Sequence, residues 1–471
     1  MDRETRLSVR SDSEKPYVSD REERREPPLY PEHDVGTGPG SDNEPAGAPD
    51  PPTAPPGPGQ SAPQTLQQGP IPDGGIEAWL QVLGSWVTLV ATWGLVNTFG
   101  VYQTYYETTL LSSSSSSAIS WIGSLQASLL MLVGVVAGPL YDAGYFRHLL
   151  ISGLFLIVFG QFMTSLGTQY WQLLLAQGIC VGVGMGFIML PSTAILSQYF
   201  TTKRAFVIGI SSSGSPLAGI IFPIIFSRLV PRVGFGWATR VIAFILLGLS
   251  VIPITFMKTR VPPTGRKRAL IDASALQDPA FVLFVVAGFF MFLCLYTAFF
   301  YIQLFAEMHH LSGSDFSPYL VTLLNVGSVF GRIIPNYLAD KLGSVNMAIA
   351  CAAVSAILAY GWLGIHNLGG LVVFALLYGT FSGGIVSVLP SAIITMSPDM
   401  SRVGTRMGMT FTLTGLSILV GTPIAGAILG GYSDREWRGV IGYSAAGLTL
   451  GSMLYLASRA VLYRRNGKLA A

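Results

Sequence analysis

Charged side chains are scarce in this sequence of 471 residues, where aspartate, glutamate, lysine and arginine together make up 11%. Soluble domains carry about 25%. Half of the residues are hydrophobic, and the mean hydropathy is +0.52. The scarcity of charge excludes an ordinary soluble protein, and the long apolar runs indicate a membrane protein.

Several chemical signatures are also missing. The three cysteines, Cys180, Cys294 and Cys351, are scattered through apolar stretches with no CxxC spacing, so we expect buried thiols rather than a metal or redox centre. The nearest match to a GxxxxGK[ST] phosphate loop, RRNGKLA, has Leu469 after its lysine. We find no paired nucleophile and base and no nucleic-acid-binding domain. The sequence therefore predicts neither an enzyme nor an ATP-driven pump, with no cofactor and no nucleic-acid partner.

The amino-terminal 72 residues differ from the rest. The first 75 residues hold 14 of the 25 acidic residues and 15 of the 29 prolines. A segment so poor in large apolar residues cannot bury enough surface to offset chain entropy. It also lacks the apolar run of a secretory signal peptide. We therefore predict that residues 1–72 are a disordered, proline-rich cytoplasmic tail.

Twelve apolar runs follow the tail, and each is long enough to cross a bilayer, which takes about 20 residues. The sequence thus predicts an all-α membrane protein with twelve transmembrane helices. Their predicted positions are 79–101, 119–139, 148–167, 171–197, 205–227, 237–257, 279–305, 317–339, 345–364, 369–395, 405–430 and 439–462.

The basic residues predict the orientation. With both termini in the cytoplasm, 22 lysines and arginines fall on the inner side and 5 on the outer side. Basic residues accumulate on the cytoplasmic side of membrane proteins, so we expect both termini to be cytoplasmic. The plasma membrane is the expected location, and a vacuolar membrane is the alternative.

The two halves of the chain echo each other. IMLPSTAI and SVLPSAII place Pro191 and Pro390 199 residues apart, and Gly184 and Gly383 share that offset. Duplicated six-span halves are typical of secondary transporters, whose substrate binds between the halves near the midplane. We therefore predict a six-helix half at 73–258, a cytoplasmic central loop at 259–278 and a second six-helix half at 279–465.

A loop motif points to the same architecture. GPLYDAGYFRH, after the second run, resembles the glycine, acid, glycine and base loop motif of the major facilitator superfamily. Its acid is Asp142 and its base is Arg147, and Asp340 and Lys341 form a shorter second copy after run eight. The resemblance implies that these four residues gate the cytoplasmic side.

Three further segments indicate a particular family within that superfamily. PDGGIEAW precedes the first run, SQYFTTKRAFVIGISSSGSPLAG follows the fourth, and GRIIPNYLADKLG lies in the eighth. Together they resemble the fungal branch of the monocarboxylate-porter family over residues 72 to about 465. The resemblance implies the twelve-helix major facilitator fold and transport of small organic anions or amphipathic metabolites. Lactate-carrying members have a lysine where Asn97 stands and an aspartate where Ser328 stands, so we do not expect a proton-coupled lactate carrier.

The acidic residues beyond the tail all lie at the ends of runs or in loops, and the histidines are also peripheral. Proton relays usually need a titratable group inside the membrane. We therefore expect no proton carrier at the midplane. Any coupling would use a group at the end of a run or a protonated substrate.

Arg332 is the charged residue that lies farthest from the ends of an apolar run. It lies about 12 Å from the cytoplasmic end of its run, and two interpretations remain open. Its guanidinium either holds a substrate carboxylate as a bidentate pair or reaches to the interface or to helix-end carbonyls. Asn325 lies seven residues earlier on the same helix face. The resemblance places runs 1, 4, 7 and 10 around the cavity, and the remaining candidate substrate-binding residues there are Asn97, Tyr102, Gln177, Tyr296, Gln303 and Tyr378.

One cation among aromatic and amide side chains suits a planar amphipathic anion. The sequence thus predicts a secondary-active or facilitative transporter, with efflux of a fungal secondary metabolite as the first hypothesis. Uptake of a monocarboxylate or a riboflavin-like vitamin is the second, and a non-transporting nutrient sensor is the third. The expected partners are a small-molecule substrate and the lipid bilayer, and the expected state is a monomer.

Overall fold

The computed structural model describes residues 73–201, 204–260, 271–313, 316–397 and 402–466. The predicted tail and most of the predicted central loop lie outside these ranges, and so does the side chain of Asp340. The expectations for those residues therefore remain predictions.

Helices make up nearly all of the described chain, and we number them α1 to α12. They are α1 Ile76–Leu110, α2 Ser116–Asp142, α3 Phe146–Thr164, α4 Tyr170–Gln198, α5 Arg204–Ser212, α6 Gly214–Phe256, α7 Pro279–Met308, α8 Pro318–Leu342, α9 Ser344–Trp362, α10 Leu368–Met396, α11 Val403–Leu429 and α12 Asp434–Asn466. A single helical turn, Ala273–Leu276, precedes α7. No strand occurs in these described segments.

The helices provide twelve membrane crossings within the described residues. Ten segments are long and apolar enough to cross a membrane. One of them, Phe206–Phe256, has 51 residues, more than twice the length of a crossing. Its backbone turns at Gly234, where φ is 78° and ψ is 168°, so this segment crosses twice. Helix α8 is not among the ten segments and brings the total to twelve. Its 25 residues include Asn325, Arg332 and two prolines, which lower its hydropathy.

Capping side chains stand at the start of several of these helices. The Ser115 hydroxyl accepts a hydrogen bond from the Ala118 amide at 3.2 Å, and the Asn367 side chain accepts one from the Gly370 amide at 2.7 Å. Asp278 caps α7, whose first residue is Pro279. Each cap satisfies an amide that the helix leaves unpaired.

The PDGG segment ties the start of α1 to the end of α4. Asp73 adopts a left-handed conformation with φ of 48°. Its carboxylate accepts hydrogen bonds from the Thr201 amide at 2.6 Å and the Thr201 hydroxyl at 2.5 Å. The ring of Trp79 also packs edge-on against Phe200, with 5.7 Å between ring centres. The motif that suggested a family therefore has a structural role at this end of the bundle.

The helix packing repeats between the two halves. Helix α4 packs against α2 and α3, and α10 packs in the same way against α8 and α9. Across the halves, α2 packs along α11 and α6 packs along α8. Small residues permit the closest crossing, since a Cβ atom on Gly331 of α8 would lie 1.8 Å from the Thr380 carbonyl oxygen of α10. This crossing fixes α8 immediately next to Arg332.

Candidate substrate site

Arg332 is buried on α8, with 5% of its surface exposed. Its Nη1 donates to the Ser212 carbonyl oxygen at 3.2 Å, and its Nε lies 3.5 Å from the Ser328 hydroxyl. Both partners are neutral. No carboxylate among the described side chains lies within 4 Å of this guanidinium. A buried cation without a counterion carries an uncompensated desolvation penalty.

The Ser212 carbonyl can accept a hydrogen bond from Arg332 because the residue four positions later is a proline. In an α-helix this oxygen would accept from the amide four residues later, which is position 216. Pro216 has no amide hydrogen. Helix α5 ends at Ser212 and α6 begins at Gly214, so the carbonyl lies at the junction and faces the guanidinium. The hydrogen bond joins α8 to the junction of α5 and α6.

The same junction contacts two more predicted residues. The Asn97 side-chain amide of α1 donates to the Ser215 hydroxyl at 3.3 Å. A Cβ atom added at Gly219 would lie 2.3 Å from the Asn325 side-chain oxygen of α8. Ser212, Ser215 and Gly219 are three and four residues apart, so they share one helix face.

The structure thus places Arg332, Asn97 and Asn325 along a single face formed by α5 and the start of α6. We call this set of three polar side chains the junction cluster. The Asn325 oxygen is buried, and no hydrogen-bond partner for it occurs in the described chain. Its amide nitrogen donates to the Val321 carbonyl at 2.9 Å.

An aromatic pair lies beside Arg332. Tyr296 of α7 stacks on Trp93 of α1, with 6.1 Å between ring centres and an interplanar angle of 10°. Tyr296 is also close enough to Arg332 for an electrostatic interaction. The pair comes from α1 and α7, so each half of the protein supplies one ring. Tyr296 was a predicted binding residue, whereas Trp93 was not.

Two of the other predicted residues lie in a polar and aromatic region further along α1. Tyr102 packs against Phe226, with 4.3 Å between ring centres. Gln177 of α4 accepts a hydrogen bond from the Tyr106 hydroxyl at 2.7 Å. Their contacts are consistent with structural packing, and their assignment to the substrate site stays a prediction.

The last two predicted binding residues also have partners outside the junction cluster. The Tyr378 hydroxyl of α10 donates to the Leu295 carbonyl at 2.9 Å. The Gln303 side chain donates to Glu307 at 3.1 Å, near the end of α7. Their roles in binding stay predictions as well.

The predicted gating residues lie at helix ends. Asp142 is the last residue of α2 and is partly buried, and Arg147 is exposed in the first turn of α3. The Lys341 ammonium lies 4.6 Å from the centre of the Tyr337 ring. Gating by these three residues, and by Asp340, stays a prediction.

A second charged group occupies the end of the bundle where α11 begins. Arg406 is 2% exposed, and its Nε lies 3.1 Å from an Asp272 carboxylate oxygen. The Ser274 hydroxyl donates to the same carboxylate at 2.6 Å. Hydrogen bonds from Ser274, and then those from Arg406, lower the pKa of Asp272. Unlike Arg332, this buried arginine has a counterion.

One stretch of the sequence is a signal for the junction cluster. SSSGSPLAG combines a proline with small residues at helical spacing. The proline releases a carbonyl, and the small residues admit neighbouring side chains. The stretch was noted only as part of a family resemblance.

Comparison with known proteins places this architecture in a family. The family model described as Major Facilitator Superfamily matches residues 75–336 and 316–469. The MFS-type transporter dbaD of Emericella nidulans is 43% identical over 368 residues, which cover 78% of this chain and 83% of the relative. The aspyridones efflux protein apdF of the same organism is 36% identical over 407 residues, covering 86% of this chain and 82% of the relative.

Two further similarities extend the comparison. An agnestins efflux protein of Paecilomyces divaricatus is 36% identical over 384 residues, covering 81% of this chain and 87% of the relative. The crystal structure of the nucleoside transporter NupG matches with a TM-score of 0.64 at 13% identity, covering 80% of this chain and 99% of that one. At that identity the NupG similarity supports the fold alone.

The fold and these matches define a polytopic membrane transporter built from helices. The chain belongs to the Major Facilitator Superfamily. The predicted major facilitator fold with twelve helices is confirmed, as is the prediction of a transporter.

Proposed function

We propose that this transporter exports a small organic anion or amphipathic metabolite of fungal secondary metabolism. The observation that carries the proposal is the buried guanidinium of Arg332, whose hydrogen-bond partners in the described chain are neutral. A carboxylate or enolate on the cargo would supply the missing counterion through a bidentate pair. Relatives named as efflux proteins for aspyridones and agnestins support the direction of transport.

The neighbouring groups suggest what else the cargo carries. Trp93 and Tyr296 offer aromatic faces beside the cation, and Asn97 and Asn325 offer amide groups. A planar ring with one acidic group and one or more hydroxyl or carbonyl groups fits this set. Both termini are proposed to be cytoplasmic, and the protein to act as a monomer in the plasma membrane. The monocarboxylate-porter family remains the proposed subgroup.

The experiment is small-molecule profiling of cells and medium after deletion and overexpression of the gene. We expect an acidic metabolite to accumulate inside the cells on deletion and in the medium on overexpression. Purified transporter in vesicles then tests Arg332→Gln and Arg332→Lys on that metabolite and on its methyl ester. We expect both variants to weaken transport of the acid, with a larger effect for Arg332→Gln.

The matched control is Arg228→Gln, which alters an exposed arginine bound to Tyr319. It should leave transport of the acid unchanged. Unchanged apparent affinity for the acid in Arg332→Gln would refute the assignment of Arg332. A compound left unconsumed in the medium on deletion would instead support uptake, and no transported compound at all would support the sensor hypothesis.

A further inference from the structure

Glu107 is a buried carboxyl group near the end of α1, 8% exposed. It lies in the π-helical turn Tyr106–Leu110, where the helix is locally widened. The Ser116 hydroxyl of α2 donates to its Oε1 at 2.7 Å, and the Gln103 amide donates to the same oxygen. These two donors belong to the same six-helix half as Glu107.

The described part of the other half supplies one further donor. The Tyr432 hydroxyl, in the connection between α11 and α12, donates to Oε2 of Glu107 at 2.9 Å. Burial and the Glu107 carboxyl raise the pKa of the Tyr432 phenol, so it stays protonated and able to donate. We call Glu107, Ser116, Gln103 and Tyr432 the outer cluster, because with cytoplasmic termini this end of the bundle faces outward.

Contacts around the outer cluster close this end of the protein. Tyr301 of α7 hydrogen-bonds to Ser120 of α2, and its hydroxyl lies 3.3 Å from that of Ser116. The Ser117 hydroxyl of α2 donates to the Pro423 carbonyl of α11 at 2.9 Å. Separation of the two halves at this end would break these contacts and admit water to Glu107.

Among the described side chains, no cation compensates the charge of Glu107. The titratable groups that face it are the phenols of Tyr301 from α7 and Tyr432 from the connection after α11. Helix α2 contributes serines. No lysine, arginine or histidine forms an ion pair with it within the described chain. Glu307, a carboxyl group near the outer end of α7, has its own partners, Gln303 and Ser317.

Closure of this end therefore shifts the equilibrium between the ionised and the neutral form of the Glu107 carboxyl group. In the open protein the carboxylate contacts water and is ionised at neutral pH. Burying it without a cation carries a large desolvation penalty. Ser116 and Gln103 can remain bound in both states, so closure adds only the hydrogen bond from Tyr432, and the net gain from one such bond is smaller than the penalty of burying the charge. The penalty exceeds the gain, and the neutral form is favoured on closure.

We propose that Glu107 is a proton-binding site whose occupation is linked to closure of the outer end. A proton from the external water neutralises the carboxylate. The resulting acid O–H can donate to the Ser116 or Tyr432 hydroxyl, because hydroxyls also accept hydrogen bonds. An acidic exterior would then speed the return of the empty transporter from the outward-open state. The inference rests on the proposed orientation but not on the identity of the cargo.

The test measures opening directly in cells without added cargo. Ser117→Cys places a thiol in the closed contact, and an impermeant maleimide added from outside labels it only when this end opens. Rates are normalised to the denatured chain at the same pH. We expect the rate to fall several-fold between external pH 7.5 and 5.5. Adding Glu107→Gln, which mimics the neutral acid, should give a low rate at both pH values.

Two further variants separate proton binding from a general structural effect. Glu307→Gln alters another carboxyl group, near the outer end of α7, and should preserve the pH response. Tyr432→Phe removes the donor that closure adds, so the midpoint of the response should move to higher pH. A full pH response in Glu107→Gln, no pH response in the parent, or labelling only from the cytoplasmic side would each overturn the proposal. Because cargo is absent, a wrong cargo assignment leaves these outcomes unchanged.

Discussion

The guanidinium of Arg332 and the backbone carbonyl of Ser212, 3.2 Å apart, join the two halves of the transporter through one hydrogen bond. The carbonyl is a weak partner for a buried cation, since it carries no charge. A carboxylate on the cargo would be a stronger partner. Binding of an anion would therefore compete with this contact between the halves, which links occupation of the site to their relative movement.

Arg332→Met should stabilise the empty protein while abolishing recognition of the anion. Methionine is long like arginine but apolar, so the substitution removes a buried cation that lacks a counterion. Replacement of buried charge by an apolar residue often stabilises by about 1–4 kcal/mol. Thermal unfolding of the purified variant in detergent should show a higher midpoint than wild type.

Arg406→Met provides the comparison, because that buried arginine is paired with Asp272. Loss of the buried arginine leaves the Asp272 carboxylate with the more exposed Arg402, 3.4 Å away, as its ion-pair partner, and should lower the unfolding midpoint. If Arg332→Met and Arg406→Met destabilised the protein equally, Arg332 would already have an anionic partner in the empty protein.

Pro216→Ala should weaken the hydrogen bond from Arg332 to the Ser212 carbonyl. Alanine restores an amide at position 216 that can donate to the Ser212 carbonyl within the helix. The guanidinium then loses its closest acceptor and becomes freer to bind an anion. We expect the apparent affinity for an anionic cargo to rise by about three- to tenfold, as loss of one competing hydrogen bond of about 1 kcal/mol implies.

The matched control is Pro253→Ala, in the second crossing formed by α6. It restores an amide in the same helix but away from the junction, so the affinity should stay at the wild-type value. Equal changes in both variants would indicate a general effect of helix straightening. Transport kinetics in vesicles distinguish these outcomes.

Gly219→Ala should displace Asn325. A Cβ atom at position 219 would lie 2.3 Å from the Asn325 side-chain oxygen, which is shorter than any permitted contact. Gly248→Ala is the control, because a Cβ atom there meets no heavy atom within 4 Å. Alanine for glycine within a helix stabilises by about 1 kcal/mol where space permits.

Transport assays should therefore show a lower apparent affinity for the cargo in Gly219→Ala and wild-type kinetics in Gly248→Ala. The unfolding midpoint of Gly248→Ala should be equal to or above that of wild type. Wild-type kinetics in Gly219→Ala would remove Asn325 from the proposed site.

Asp272 should make the stability of the protein depend on pH in the acid range. Its folded-state pKa lies below the ordinary value of 3.8 because Ser274 and Arg406 donate hydrogen bonds to it. A depressed pKa contributes stability that is fully present above the unfolded-state value and is lost as pH falls through the folded-state value. We therefore expect the unfolding midpoint to decline below about pH 4.

Asp272→Asn should flatten that decline and lower the midpoint at neutral pH, since Arg406 is then buried without its counterion. Asp434→Asn is the control, because that carboxylate is exposed and its ion-pair partner among the described side chains is His309. It should reproduce the wild-type profile. A decline that persists unchanged in Asp272→Asn would assign the acid sensitivity to other groups.

The positions of the helices could be predicted from the sequence because a bilayer demands long apolar runs, and these are visible without tertiary information. The ends were less predictable. The first run was predicted to end at residue 101, whereas α1 continues to Leu110. Its last turns carry Gln103 and Glu107, whose polarity is typical of a loop. Only partners from α2 and the α11–α12 connection make their burial possible.

The candidate site was predictable only in part, for a similar reason. Arg332 was conspicuous because a charge within an apolar run is rare. Its actual partner is a backbone carbonyl, which no side-chain pattern reports. The sequence predicted either a cargo carboxylate or a helix-end carbonyl as the partner of Arg332. In the empty protein the partner is the Ser212 carbonyl at the end of α5. Trp93 was missed because an aromatic residue in an apolar run is ordinary until a neighbour stacks against it.

The shared face formed by Ser212, Ser215 and Gly219 has a consequence for how this transporter could acquire a new cargo. Side chains from α1 and α8 contact neighbouring positions of this face, so a larger residue at Ser215 would disturb Asn97 of the first half and one at Gly219 would disturb Asn325 of the second. Changes of specificity should therefore arise as paired substitutions, one on this face and one on the side chain it supports. Searching for cargo variants one position at a time would mostly return inactive proteins.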